Sequence, residues 1–320
     1  MKEWYASVNH GLEPIIGEIL KDGGARHIKI MDSAITFSSA AEIKSRCINN
    51  LFAVLSSFMS ESILDAAKKI SRMNFNAPEC GQKTFRVIIM DCGKLRAIPG
   101  SLMTDIERNV SRQTGLSADR ANPGAEIWLN RRNDKTTYFM VRAHKHAPFE
   151  KTLKQGELRP DVAAVMVYRA RIGKQSAVAD MFGGWGGITA ALIETGRYGK
   201  IYTGDINHEC VRYQQERFRN KRGCIVQKWD ALALPLTDRS IDSVITDPPW
   251  GEYEDISLTA FYNGFIKEAA RVLRPGGSLI FLTSAYAQAC RALSDCNFSF
   301  DAAPLKINGK NAFLFVCALN

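Results

Sequence analysis

Asp180, Asp205 and Asp230 stand at or just past the ends of three short strand-like runs, Ala177 to Met181, Lys200 to Gly204 and Cys224 to Lys228. The first two acids are 25 residues apart, the length of one strand–helix–strand unit. Such units build a parallel sheet with crossover helices, and open sheets of this kind bind ligands at the carboxyl ends of their strands. A carboxylate there offers the acceptor pair that two neighbouring hydroxyls need.

Two further stretches narrow the reading. Between the first run and a helix from Ile188 to Thr195 lies Phe182-Gly-Gly-Trp-Gly-Gly187. Its glycines let backbone approach a ligand where Cβ atoms would clash, at a helix N-terminus that favours a carboxylate. A fourth run, Ser243-Val-Ile-Thr-Asp-Pro-Pro-Trp-Gly251, reads as a buried strand stopped by two prolines that cannot continue a ladder. Beyond it we expect a helix from Leu258 to Leu273, a turn at Arg274-Pro-Gly-Gly277, a strand from Ser278 to Thr283, and a hairpin of Ser299 to Ile307 with Lys310 to Ala318.

Asp247, Pro248 and Trp250 together suit alkylation of an exocyclic amine, whose lone pair is drawn into its ring. The Asp247 carboxylate and the Pro248 carbonyl accept two N–H bonds, and Trp250 offers a stacking plane. Asp-Pro-Pro-Trp is similar to the (D/N/S)-P-P-(Y/F/W) motif of S-adenosylmethionine-dependent methyltransferases acting on nucleobase amines. That resemblance implies a C-terminal α/β, Rossmann-like class I methyltransferase domain with a seven-stranded, mostly parallel sheet. It implies S-adenosylmethionine as cofactor, held by Asp180, Phe182, Gly184, Gly186, Asp205, Ile206, Asp230, Ala231 and Asp247. The family's D-P-x-C-G-x-G-[ST] becomes Asp180-Met-Phe-Gly-Gly-Trp-Gly-Gly here, without the proline, cysteine and hydroxyl residue. Gly156-Glu-Leu-Arg-Pro160 resembles the G-x-L-R-P helix before the family's cofactor strand and places Arg159 at the pocket edge.

Earlier in the chain the order reads strand (Glu3 to Val8), helix after Gly11-Leu-Glu-Pro, hairpin (His27 to Met31, Ala34 to Phe37), helix (Ala40 to Asn50), strand (Phe52 to Phe58) and helix (Glu61 to Met73). We take β-α-β-β-α-β over 1–75 as a ferredoxin-like module. Residues 76–150 follow with strand Phe85 to Met90, helix Ser101 to Gln113, and strands Glu126 to Asn130 and Thr137 to Arg142. This part, with Asn122-Pro-x-x-Glu-Ile-x-Leu129, resembles a THUMP domain, the RNA-binding module of tRNA-modifying enzymes. Arg86, Arg96, Arg131, Arg132, Arg142 and Lys145 are its expected phosphate contacts. A linker helix is assigned to 151–175 and the methyltransferase domain to 176–320.

Charge supports this division of labour. Residues 1–175 hold 27 Lys and Arg against 18 Asp and Glu, whereas residues 176–320 hold 15 of each, so the whole net charge of +9 lies before the catalytic half. Eight cysteines without a C-x-x-C pair and five scattered histidines point away from a metal site or a disulfide framework. Met1-Lys-Glu-Trp-Tyr-Ala opens on no apolar run of signal length, and no uninterrupted apolar stretch is long enough to span a bilayer. A cytoplasmic monomer is expected, methylating guanine N2 in tRNA, with rRNA as a second substrate class. Adenine-N6 methylation of DNA or RNA, an inactive methyltransferase-like RNA-binding protein and a dinucleotide-dependent oxidoreductase are the alternatives. Asp-Pro-Pro-Trp has no role in hydride transfer.

Overall fold

The computed structural model describes residues 1–43, 45–75, 81–145, 153–251, 257–307 and 309–320. Internal contacts divide the chain into two units, Met1–Val8 with Gly17–His146, and Asn9–Ile16 with Ala147–Asn320.

The first unit is built on one sheet. Its strands are β1 (Lys2–Ser7), β2 (Arg26–Met31), β3 (Ala34–Ser39), β4 (Asn50–Met59), β5 (Thr84–Asp91), β6 (Lys94–Leu95), β7 (Ser117–Ala118), β8 (Ala125–Arg131) and β9 (Thr136–Lys145). They lie in the order β2-β3-β1-β4-β9-β8-β5-β6, with β7 beside β5. Segments 1–75 and 76–145 therefore share a single sheet, joined where β4 runs antiparallel to β9. Alternation along the strands splits the side chains between two faces. Phe85, Ile89, Ile127, Leu129, Phe139 and Val141 meet α2 (Ile63–Ile70) and α3 (Gly100–Thr114) in one core. Tyr5, Phe52, Tyr138 and Met140 form a smaller cluster, with Trp128 packed against it. Ser62 caps α2 by accepting from the Asp65 amide at 3.1 Å, and Gly115 ends α3 in the left-handed conformation.

One expected element is absent. The described residues of 40–50 are irregular rather than helical, so the sequence of elements over 1–75 is β-α-β-β-β-α instead of β-α-β-β-α-β. Cys47 and Ile48 are buried. Their burial comes from a tight turn, in which the Ile48 amide donates to the Ser45 carbonyl and the Asn49 amide donates to Ser7. Only Ile43, Cys47 and Ile48 of the eleven residues are larger than alanine and apolar, and Ser45, Asn49 and Asn50 are of the types that bind backbone locally, so a helix has little to bury.

In the second unit, β10 (Ala177–Asp180), β11 (Lys200–Asp205), β12 (Cys224–Lys228), β13 (Ile241–Thr246), β14 (Leu273–Thr283), β15 (Phe298–Ile307) and β16 (Lys310–Leu319) form a seven-stranded sheet in the order β12-β11-β10-β13-β14-β16-β15. The first five are parallel, and β16 returns antiparallel to both β14 and β15. Arg274 to Gly277 is not a separate turn but a bulge within β14, between the Ile241–Leu273 and Ser243–Ser278 pairs, with Gly276 at φ +74°. α7 (Leu258–Val272) and α8 (Tyr286–Asp295) bury Phe265, Ala269, Ala289 and Leu293 against Val244, Leu279 and Phe281. Ile245, Ile280 and Leu282 point the other way by alternation and are equally buried, so the sheet is covered on both faces. α4 (Pro160–Arg169), α5 (Gly187–Thr195) and α6 (His208–Arg217) complete the unit. No described helix is long and apolar enough to cross a membrane, and the seven described cysteines are free.

Candidate active site

β10, β11 and β13 run side by side in parallel, so register alone brings Asp180, Asp205 and Asp247 to one edge of the sheet. The strand order changes direction at this point, where β10 lies between β11 and β13. The acids differ sharply in their surroundings. Asp180 is buried, and the Thr246 hydroxyl donates to its Oδ1 at 2.9 Å while its Oδ2 has no partner among the described residues. Burial, reinforced by the charges of Asp205 and Asp247, pushes its pKa up to about 8. Asp205 is half-buried and works on backbone, its Oδ2 accepting from Gly184 N at 2.8 Å and its Oδ1 from Asn207 N at 2.9 Å.

The glycine-rich turn is fixed from several sides. Gly183 N donates to the Gly204 carbonyl at 2.8 Å, and Gln214, fully buried, donates from Nε2 to the Gly184 carbonyl while accepting from the Thr203 hydroxyl. A Cβ on Gly183 would stand 2.5 Å from Thr203 Oγ1, one on Gly186 2.7 Å from the Phe218 ring, and one on Gly204 2.1 Å from the Gln227 carbonyl. These three positions demand glycine for space. Gly184 and Gly186 also have φ of +48° and +80°. Trp185, at the unspecified position of the resembled family's pattern, ties the turn to the segment before α4. Its indole N–H donates to the Gln155 carbonyl at 3.0 Å, the Lys154 ammonium lies 4.5 Å from its ring centre, and Arg217 bridges its carbonyl to Glu157.

Thr246 links this turn to β13, because its hydroxyl also accepts from Phe182 N at 2.9 Å. The next residue, Asp247, reaches the surface in part, yet protein surrounds its carboxyl and burial raises its pKa to about 7. Trp250 donates its indole N–H to Asp247 Oδ1 at 3.0 Å. Oδ2 has no described partner. Behind the turn, the buried Tyr262 hydroxyl donates to the Pro249 carbonyl at 3.1 Å, and its one proton being spent there, it accepts from Thr283. Thr283 accepts in turn from Ala285 N. Burial lifts the Tyr262 pKa well above the usual phenol range.

The remaining expected residues fall around this edge. Ile206 is exposed beside Asp205, Asp230 is exposed after β12 with Oδ1 accepting from Leu232 N, and Ala231 is buried. Phe182 packs edge-on against Phe265. Arg159 is tied to the buried Asp161 by two 3.2 Å contacts, and Asn9 also donates to Asp161. Sequence reasoning passed over Thr246, Gln214, Trp229 and Tyr262. Thr246 was visible as the residue before Asp247. Gln214, Tyr262 and Trp229, whose indole holds the Met181 carbonyl at 2.9 Å, had no local signal.

Of the six cations expected to meet RNA, four are engaged within the first unit. Arg86 and Arg142 share Glu126, Arg131 binds Asp91 and the Ser60 and Glu61 carbonyls, and Arg132 binds the Tyr5 hydroxyl and the Asp32 carbonyl. Arg96 is exposed, and the Lys145 side chain lies outside the described residues.

A parallel sheet with a returning final strand, acids at three neighbouring strand ends and a glycine turn between them define a nucleotide-cofactor domain. Residues 149–303 match the family model UPF0020, described as an RMKL-like methyltransferase domain. The second unit is a methyltransferase domain with S-adenosylmethionine as its cofactor. No curated protein matches the sequence. Among solved structures, TrmN from Thermus thermophilus is similar over all of both chains, with 20% identity and a TM-score of 0.80. SMU.472 complexed with SAH aligns over 98% of this chain and 97% of its own, at 12% identity and TM-score 0.75. A predicted N6-adenine-specific DNA methylase from Listeria monocytogenes aligns over 98% and 95%, at 14% and 0.72. These structures share the fold of the chain over both its units.

Proposed function

We propose that the chain is an RNA methyltransferase that adds a methyl group to the exocyclic N2 amine of a guanosine in tRNA. The observation that carries this reading is Asp247: a desolvated carboxyl at the end of β13, oriented through Oδ1 by Trp250, with Oδ2 left to accept an amine N–H. The cofactor fits the residues present. Asp180 Oδ2 is a buried carboxyl oxygen without a partner among the described residues, and Gly184, where a Cβ would meet nothing closer than 4.0 Å, leaves open space on a turn packed tightly at Gly183 and Gly186. Asp180, Phe182, Gly184 and Gly186 would line it, Asp205 and Ile206 would hold the ribose, and Asp230 and Ala231 the adenine. S-adenosylmethionine supplies an electrophilic methyl group on a sulfonium.

The chain's own residues do the rest. Asp247 and the Pro248 carbonyl accept the two amine hydrogens, which fixes the amine and directs its lone pair out of conjugation. Trp250 stacks on the base. With a pKa near 7, Asp247 takes up positive charge as the nitrogen is alkylated and accepts its proton. Residues 1–150, THUMP-like over 76–150, supply the RNA-binding part, with 21 Lys and Arg against 16 Asp and Glu. We take the protein to act as a cytoplasmic monomer without a metal.

Single-turnover methylation of unmodified tRNA, with mass spectrometry of the nucleosides, tests this. Asp247→Ala lowers the rate about 10²–10⁴-fold, and wild-type kcat/KM rises with pH through about 7 as Asp247 ionises. The expected product is N2-methylguanosine. N6-methyladenosine, the product class suggested by the name of the Listeria neighbour, would overturn the substrate, and a wild-type rate in folded Asp247→Ala would overturn the mechanism.

A further inference from the structure

The face of the first sheet opposite α2 and α3 is set out in rows by the strand register. One row runs Phe52, Arg142, Glu126, Arg86 across β4, β9, β8 and β5, and the next in-facing row carries Met140 and Trp128. Arg86 and Arg142 place two cations on one carboxylate, so this row keeps a positive excess. Arg142 lies 4.7 Å from the Trp128 ring centre, and the Phe52 and Trp128 rings are 5.3 Å apart.

Further along the same face the sheet is hollowed into a cavity of about 380 Å³, within the ~300–1,000 Å³ of small-molecule sites. Its walls are of two kinds. Tyr5, Phe52 and Trp128 are aromatic, and Asn50, Asn130 and Arg132 are polar. The Arg132 guanidinium spends two nitrogens on neutral partners, the Tyr5 hydroxyl at 2.7 Å and the Asp32 carbonyl at 2.6 Å. Its Nε is buried without a described partner, as are Nε of Arg86 and Arg142. Aromatic walls suit a planar ring, and side-chain amides carry donor and acceptor together, the pattern that the edge of a nucleobase presents. Charge sorts the two ends. Asp134 beside Arg132 offsets its charge there, while the Arg86–Glu126–Arg142 row stays cationic. An uncharged base fits the first end and a phosphate the second.

From this we infer that the helix-free face of the first unit is a single-stranded RNA site, in which one unpaired base enters the Tyr5–Phe52–Trp128 cavity and the adjoining phosphates lie along the Arg86–Arg142 row. The inference rests on the RNA reading above and gives it a place. It uses the same physics as other sheet platforms, where stacking and an arginine track hold a strand without a duplex.

The wild-type full chain is photo-crosslinked to a single-stranded oligoribonucleotide carrying 4-thiouridine, and the joined peptides are mapped by mass spectrometry. Adducts at Tyr5, Phe52 or Trp128 are expected. Adducts confined to residues outside this face would overturn the site. In fluorescence anisotropy with the same oligonucleotide, Trp128→Ala weakens binding about tenfold or more and Trp128→Phe restores most of it, while binding to a duplex of the same length is unchanged by either. Equal losses on single strand and duplex, or equal binding of the matching DNA, would overturn the assignment to unpaired RNA. For methyl transfer, Trp128→Ala raises KM and leaves kcat unaltered. Methylation of tRNA with an unaltered KM sinks this site and spares the enzymatic reading. Adducts on this face in a protein that methylates no nucleoside do the reverse.

Discussion

Thr246 shows how one short side chain joins two halves of a site, since its hydroxyl donates to Asp180, accepts from Phe182 N and directly precedes Asp247. Tyr262 plays the matching part on the far side of the turn. Prolines lock φ at two successive positions, but ψ of the turn is free to respond to whatever binds its carbonyls. The Tyr262 hydroxyl holds the Pro249 carbonyl, and Thr283 supplies the hydrogen that Tyr262 has given away. Tyr262→Phe is therefore expected to lower kcat about 5–100-fold, the scale of one lost buried hydrogen bond felt through the position of Asp247. Cofactor affinity, measured by calorimetry, stays at the wild-type value. A wild-type kcat in the folded variant would show that the turn holds its place without the phenol.

At the level of elements, the glycine turn and α5 depend on two different kinds of glycine. Gly186 precedes α5 at φ +80° with the Phe218 ring 2.7 Å from any Cβ, whereas Gly196 follows the helix at φ +60° with nothing near. Gly196→Ala costs about 1 kcal/mol for its backbone conformation alone. Gly186→Ala pays that and must also displace Phe218, so it is expected to cost about 1–3 kcal/mol more and to weaken S-adenosylmethionine binding tenfold or more. Thermal unfolding and calorimetry on both variants separate the effects. Equal behaviour would mean that Phe218 yields freely. The same comparison explains the irregular segment at 40–50. A helix there had the right apolar spacing for one turn, but β4 begins at Asn50 opposite Ser7, and forming that ladder buries Cys47 and Ile48 without a helix.

Across the whole molecule, the buried acids set a dependence of stability on pH. Asp180 titrates near 3.8 when exposed and at about 8 in the folded protein, so the folded state binds more protons between those values and stability falls as pH rises through them. Asp180→Asn keeps the shape of the protonated form. Without cofactor, its advantage over wild type in thermal unfolding should widen by about 1–3 kcal/mol between pH 5 and pH 8. A constant difference would show that Asp180 stays ionised in the fold. The aspartates, the glycine turn and Asp247-Pro-Pro-Trp were legible in the sequence because strand-ending acids, glycine and proline act through local backbone geometry. The charge division between the two halves was legible for the same reason, being a property of composition. What composition could not show was pairing. The join of β4 to β9, the hold of Tyr262 on Pro249, of Gln214 on Gly184 and of Trp185 on Gln155, and the rows that place Phe52, Arg142, Glu126 and Arg86 side by side link residues 13 to 95 positions apart. Such contacts follow from sheet order and register, which are decided when the whole core closes and each buried polar group finds its partner.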